Sequence, residues 1–165
     1  MAGSKDGKGN GGDRRVFLVV VDRSEEMSVA LRFAARRARS TGGRVAMLYV
    51  IEPADFGHWL AVDDLIGEER RQEAEEPMQA LSGQVMAITE EVPMVHIRDG
   101  KVREELLELL EEEPGISVLV LASSSGPKGP GPLISALTGK MWSRLHIPLT
   151  IVPGNLEDEE VDALT

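Results

Sequence analysis

Residues Val118 to Lys140 read VLVLA, then SSSGPKGPGP, then LISALTGK. An apolar run too short to cross a membrane empties into a loop of small residues and prolines, and an amphipathic segment follows at once. In α/β proteins, strand, Gly-rich loop and helix in that order build a phosphate cradle. Glycines let the backbone approach the ligand, and the helix start directs free N–H groups at an anion. The same order also serves as plain connection, because Gly and Pro populate loops for steric reasons alone.

Upstream, Val16 to Val21 (VFLVVV) is a continuous β-branched and aromatic run, the pattern of a strand buried on both faces of a parallel sheet. Asp22 ends it and Ser24 offers an N-cap. Met27, Ala30, Leu31, Ala34 and Ala38 then recur at helical spacing until Ser40-Thr41-Gly42-Gly43 stops the helix. Val45 to Ile51 is a second buried strand, and a strand–helix–strand crossover implies parallel pairing. Ala54 to Gly67, with His58 and Trp59 adjoining, reads as a surface cap over the sheet edge, a ligand contact being the alternative. Helix resumes in the charged run Glu68 to Glu76, a solvated face. Ala74, Met78, Leu81, Val85 and Ile88 supply its core stripe. Pro77 interrupts that stripe, so the helix either kinks there or a new one begins.

Val92 to Ile97 reads as a third strand, and Pro93 at its start suits a sheet edge. His96, a lone histidine, reads as packing. Val102, Leu106, Leu109 and Leu110 form the next stripe, Ile116 to Ala122 the fourth strand and Leu149 to Val152 the fifth. Residues 1–14 are expected to be a disordered tail, residues 15–153 one α/β domain, and residues 154–165 an acidic tail, either loose or a short helix. Alternating strands and helices give a doubly wound, open α/β sandwich, a parallel sheet with helices on both faces. Ligands of such sheets bind beyond the strand C-termini. If the first and fourth strands are neighbours, Asp22 and the loop Ser123 to Pro132 share one crevice.

Composition narrows the function. The chain has 165 residues, 42% of them hydrophobic, enough for one domain with a normal core. It has no cysteine, which excludes disulfides and thiolate metal sites and fits a reducing cytosol. A formal net charge of −10 argues against nucleic-acid binding, which rests on clustered Lys and Arg. No apolar run reaches the ~20 residues of a membrane-spanning helix, and no h-region follows the basic start, so neither a membrane role nor a signal peptide is expected. No Ser-His-Asp set stands at interpretable spacing and no His/carboxylate cluster suggests a metal. The residues therefore suit binding better than catalysis, and the expectation is a soluble, cytoplasmic protein without strong enzymatic activity.

Several stretches together resemble the universal stress protein family, across Arg15 to Pro153: VFLVVVDRSEEMSVALRFAARRA, RVAMLYVIEP, HIRDGKVREELLELL, SVLVLASSS and IPLTIVP. The resemblance implies a five-stranded parallel sheet of order 3-2-1-4-5 and a homodimer through the last strand, here Leu149 to Val152. It also implies an adenine-nucleotide site, with ATP as the candidate cofactor. The family's aspartate at the end of the first strand falls on Asp22, and the second-strand residue whose backbone meets adenine falls on Val50. Its phosphate loop follows G-x2-G-x9-G-[ST]. By glycine spacing, Gly126, Gly129 and Gly139 fit, with Lys140 in place of the hydroxyl residue. Counted without gaps from the strand end, Ala122, Ser125, Ser135 and Ala136 occupy those positions instead, and the motif is degraded.

The ungapped register is the one adopted. It predicts a helix from about Leu133 through Leu145 with no break at Thr138, a tolerated or stabilising Gly139→Ala, and no nucleotide role for Lys140. Pro127, Pro130 and Pro132 lack N–H groups, which removes three potential phosphate donors. Two functions remain open. One is a small regulatory, stress-response module that binds an adenine nucleotide through Asp22, Val50, Ser125, Gly126, Gly129, Gly139 and Lys140. The other is a dimeric scaffold for an unknown protein partner that binds no nucleotide. Weak ATP hydrolysis is a third, with only Asp22 to support it.

Overall fold

A computed structural model describes residues 14–53 and 60–165. Most of the predicted N-terminal tail, and the His58–Trp59 pair, lie outside the described residues. The elements are β1 (Val16–Val21), α1 (Met27–Thr41), β2 (Arg44–Ile51), α2 (Leu60–Thr89), β3 (Met94–Asp99) and α3 (Val102–Glu112). These are followed by β4 (Ile116–Ser123), α4 (Pro132–Thr138), a 3-10 turn (Trp142–Arg144), β5 (Leu149–Pro153) and α5 (Asp158–Leu164). The five strands are parallel in the order β3-β2-β1-β4-β5, as the family resemblance implied.

The central position of β1 explains its composition. All six residues are buried, and because successive side chains point to opposite faces they serve two cores at once. Val16, Leu18 and Val20 pack with Leu106, Leu109, Ile134 and Leu137 beneath α3 and α4. Phe17, Val19 and Val21 pack with Ala30, Ala34, Ala38, Met78 and Val85 beneath α1 and α2. The alanine face of α1 has little bulk, which lets the helix axis lie close over the sheet.

Several local expectations are corrected. Ser24 does not cap α1: the helix begins at Met27, preceded by Glu26, and the serine is drawn back to Asp22. The helix α2 begins at Leu60, so the later part of the expected cap is helical. Of the two readings at Pro77, a new helix is not realised: α2 continues through it. Pro77 is exposed, so the carbonyl of Glu73 that loses its donor is on the wet side, where water satisfies it. The predicted continuous helix to Leu145 does not form: α4 stops at Thr138, and a separate 3-10 turn follows Gly139. Of the two readings of the C-terminal segment, the helix is realised, with Val161 buried at 1% exposure. Arg14, counted with the tail, is held by the carbonyls of Gly42 and Gly43 and by Glu91.

Candidate functional site

The β1–β4 pairing determines what can meet. Val19 lies opposite Val120, so the same register carried three residues on sets Asp22 level with Ser123. On the other side of β1 the last pair is Val21 with Tyr49, and Val50 lies one residue beyond it, still paired with Arg98 of β3. Asp22, Val50 and the loop after β4 therefore gather at the C-terminal end of the three inner strands, the place where an open α/β sheet binds its ligands.

At the β1 side of this crevice the exposed Asp22 carboxylate makes an Asx turn. Its Oδ1 accepts from the Ser24 backbone N–H at 2.8 Å and from the Ser24 hydroxyl at 2.6 Å. The Oδ2 atom has no protein partner among the described residues. Asp22 is thus both a turn-former and a carboxylate with one free oxygen.

The loop is built by its own polar groups. The Ser124 N–H donates to Pro130 O at 3.0 Å, which closes the loop across its base, and the Gly126 N–H donates to Ser124 Oγ at 3.3 Å. Gly129 and Gly131 take φ of 91° and 117°, which suits residues without a Cβ. Pro127, Pro130 and Pro132 carry no donor. This leaves the N–H groups of Ser125, Lys128, Gly129 and Gly131 without a partner among the described residues. Lys128 is exposed on the same loop.

Gly139 and Lys140 lie elsewhere. Seven residues of α4 separate them from the loop, a rise of roughly 10 Å. Lys140 is exposed and forms no ion pair among the described residues. The structure thus groups Asp22, Val50, Ser125, Gly126 and Gly129 at one end and leaves Gly139 and Lys140 at the far end of α4. Neither register is realised whole: the helix starts at Pro132, as in the ungapped one, yet breaks after Thr138.

Sequence reasoning missed Glu26. Its side chain packs on Gly154 so closely that a Cβ there would collide with Glu26 Cγ and Ser123 O, while the Gly154 N–H donates to Ser123 O at 2.9 Å. This brings the acidic residue that precedes α1 against the ends of β4 and β5, beside the loop. The Pro153-Gly154-Asn155 turn was the only sequence signal for so close an approach.

His96 is half-buried on β3. Burial pushes its imidazole below the ordinary value, with Glu113 opposing and Arg98 adding to the shift. Arg98 itself is engaged by Glu112 and Glu105. No cluster of metal-ligating side chains occurs among the described residues, and no helix among them is long and apolar enough to cross a membrane.

The family model described as the universal stress protein family matches residues 14–153. Among solved structures, the universal stress protein UspA from Lactobacillus plantarum superposes with a TM-score of 0.69 at 18% identity, over 84% of this chain and 97% of that one. A universal stress protein from Archaeoglobus fulgidus in complex with dAMP aligns at a TM-score of 0.55 and 18% identity, over 84% and 97% of the two chains. A universal stress protein in complex with cAMP gives 0.52 at 16% identity, over 86% and 98%. No curated protein matches this chain in sequence.

Proposed function

Since this chain belongs to the universal stress protein family, we propose that it is a small stress-response module that binds an adenine nucleotide at the C-terminal end of β1, β2 and β4. The convergence of Asp22, Val50 and the 124–131 loop at one sheet end is the observation that carries this reading. Asp22 Oδ2 is free to accept from a ribose hydroxyl. The unpartnered N–H groups of Ser125, Lys128, Gly129 and Gly131, with the Lys128 ammonium, are the donors available to a phosphate. That two relatives were crystallised with dAMP and cAMP agrees with the ligand class.

The donor count favours a nucleotide with one phosphate over ATP. Three prolines and two internally bonded amides leave the loop poorer in donors than a triphosphate requires, and Lys140 is not there to compensate. Thermal unfolding with AMP, cAMP, ADP and ATP, each with Mg2+, tests this. A ligand at ~100 times its dissociation constant stabilises by about 2.7 kcal/mol. AMP or cAMP should shift the transition more than ATP, and Asp22→Ala should abolish the shift. Silence of all four at millimolar concentration would end the nucleotide reading. A cytosolic setting suits the absence of cysteine.

A second reading, a homodimeric scaffold, is favoured by β5. Among the described residues this edge strand pairs with β4 alone, and it presents Ile151 at 43% exposure. Strands with one free edge pair readily across a two-fold axis. Sedimentation as a monomer at tens of micromolar would count against it.

A further inference from the structure

The helix α5 lies beyond the residues that match the family model, and it packs on an arginine-rich face of an acidic chain. Ala30 to Arg44 carries five arginines and no carboxylate, in a protein of net charge −10. Two of those arginines receive α5. The Arg32 guanidinium donates to Asp162 in a fork, Nε to Oδ1 at 2.9 Å and Nη2 to Oδ2 at 2.7 Å, and its Nη1 lies 3.6 Å from Asp158. Arg36 Nε lies 3.3 Å from the same Asp162. Between the charges Val161 inserts to 1% exposure. The contact combines one apolar anchor, Val161, with two carboxylates, Asp158 and Asp162, that share one side of α5 at i, i+4.

A groove of about 450 Å³ continues from this contact between α1 and α2. Leu31, Ala35 and Val85, each nearly fully buried, line it with the partly exposed Ile88, with Gln84 and with Asp158 of α5. The helix α5 therefore occupies one end of a longer trough, apolar below and basic at the side. Its hold is modest. A seven-residue helix is marginal alone, and α5 buries one side chain fully. A reciprocal cap between Glu157 and Glu160, with acidic residues through the first turn, predisposes the segment to helix before it docks.

We propose that the α1–α2 trough beside Arg32 and Arg36 is a docking surface for an acidic amphipathic helix of a partner protein, and that α5 is its resident occupant, displaced when the partner binds. Charge complementarity selects the partner: an aliphatic residue for the Val161 position, carboxylates for the two arginines, and further apolar side chains for the open length of the groove. Elements that open at low cost are suited to such exchange. This surface lies on a helix face, apart from the nucleotide crevice, so its test is independent of that reading.

The probe is a fluorescein-labelled peptide of this chain's own Asn155–Thr165 sequence, titrated by anisotropy into full-length protein. Val161→Asp should release α5 and tighten peptide binding about tenfold or more relative to wild type, because the tethered competitor acts at high effective concentration. Arg32→Glu in that background should abolish binding, and raising salt from ~50 to ~500 mM should weaken it. Equal binding of the peptide by wild type and Val161→Asp, or of a scrambled peptide by Val161→Asp, would overturn the proposal. So would a Val161→Asp dimer that the peptide does not dissociate, since the occupant would then be a second copy. If circular dichroism shows Val161→Asp unfolded, the Asp158→Ala/Asp162→Ala double variant replaces it under the same criteria.

Discussion

The helices α1 and α4 follow two of the three inner strands, β1 and β4, yet they end differently and do different work. The fifteen residues of α1 bury five side chains and close on Gly42, whose φ of 69° is left-handed and whose N–H turns back to the carbonyls of Ala38 and Arg39. The seven residues of α4 bury only Ile134 and Leu137 and close on Gly139, whose φ is −108°. Gly42 is required by backbone conformation. Gly139 is required by contact, because a Cβ there would sit 2.8 Å from Ser135 O, whereas one on Gly42 would meet nothing within 4 Å. Two glycines at helix ends thus look alike in sequence and differ in cause.

That difference gives the largest expected effect. Gly139→Ala should destabilise by about 1–3 kcal/mol, the cost of forcing a close approach apart. Gly42→Ala should cost about 1–2 kcal/mol through left-handed strain. Asparagine separates the causes. At Gly42 it should recover part of the loss, since Asn tolerates the left-handed region, while at Gly139 it should be no better than alanine. Urea denaturation of the four variants checks this. A higher midpoint for Gly139→Ala would restore the unbroken helix that the sequence suggested.

The same contrast explains what could be read from residues alone. The strands were legible because burial on both faces demands continuous apolar runs, and VFLVVV is short and rich in β-branched residues as a strand requires. The end of α4 was not. Ile134, Leu137, Met141 and Leu145 are spaced three, four and four apart, which reads as one helical stripe. All four do reach the α3–α4 core, but by way of a short helix, a bend at Gly139 and a 3-10 turn. The Met141 N–H reaches back to Ala136 O at 3.0 Å, which wraps the chain end instead of extending it. Spacing records which side chains must be buried, and more than one backbone path can deliver them. For the crevice, Asp22 and the loop were legible from strand ends, while the packing of Glu26 on Gly154 depends on residues far apart in the chain.

A third helix end sharpens the comparison. The helix α2 closes on Glu90, which takes φ of 62° and sends its N–H to Met86 O at 2.8 Å. It has the conformation of Gly42 without the glycine. Glu90→Gly should therefore stabilise by about 0.5–1 kcal/mol, left-handed strain relieved less the entropy that glycine loses on folding. A destabilised Glu90→Gly would show that the conformation is held for the side chain's sake.

The smallest effect concerns what α1 has and α4 lacks. Among the described residues α4 forms no ion pair, whereas α1 holds α5 through Arg32 and Arg36. The hydrogen bond from Arg32 holds the Asp162 carboxyl below the ordinary carboxylate range; desolvation opposes it, and the Arg32 and Arg36 charges add to it. A carboxyl depressed in the folded state contributes stability above its unfolded value of about 3.9, and that contribution fades as pH falls through the lower folded value. The advantage of wild type over Asp162→Asn in thermal unfolding should therefore be constant from neutral pH down to about 5, then shrink as the solution is acidified further. Arg32→Ala should return the Asp162 carboxyl, followed by its NMR shift, toward the ordinary range. No wild-type advantage at any pH would mean that α5 is held by Val161 alone and that the arginine fork contributes nothing to its docking.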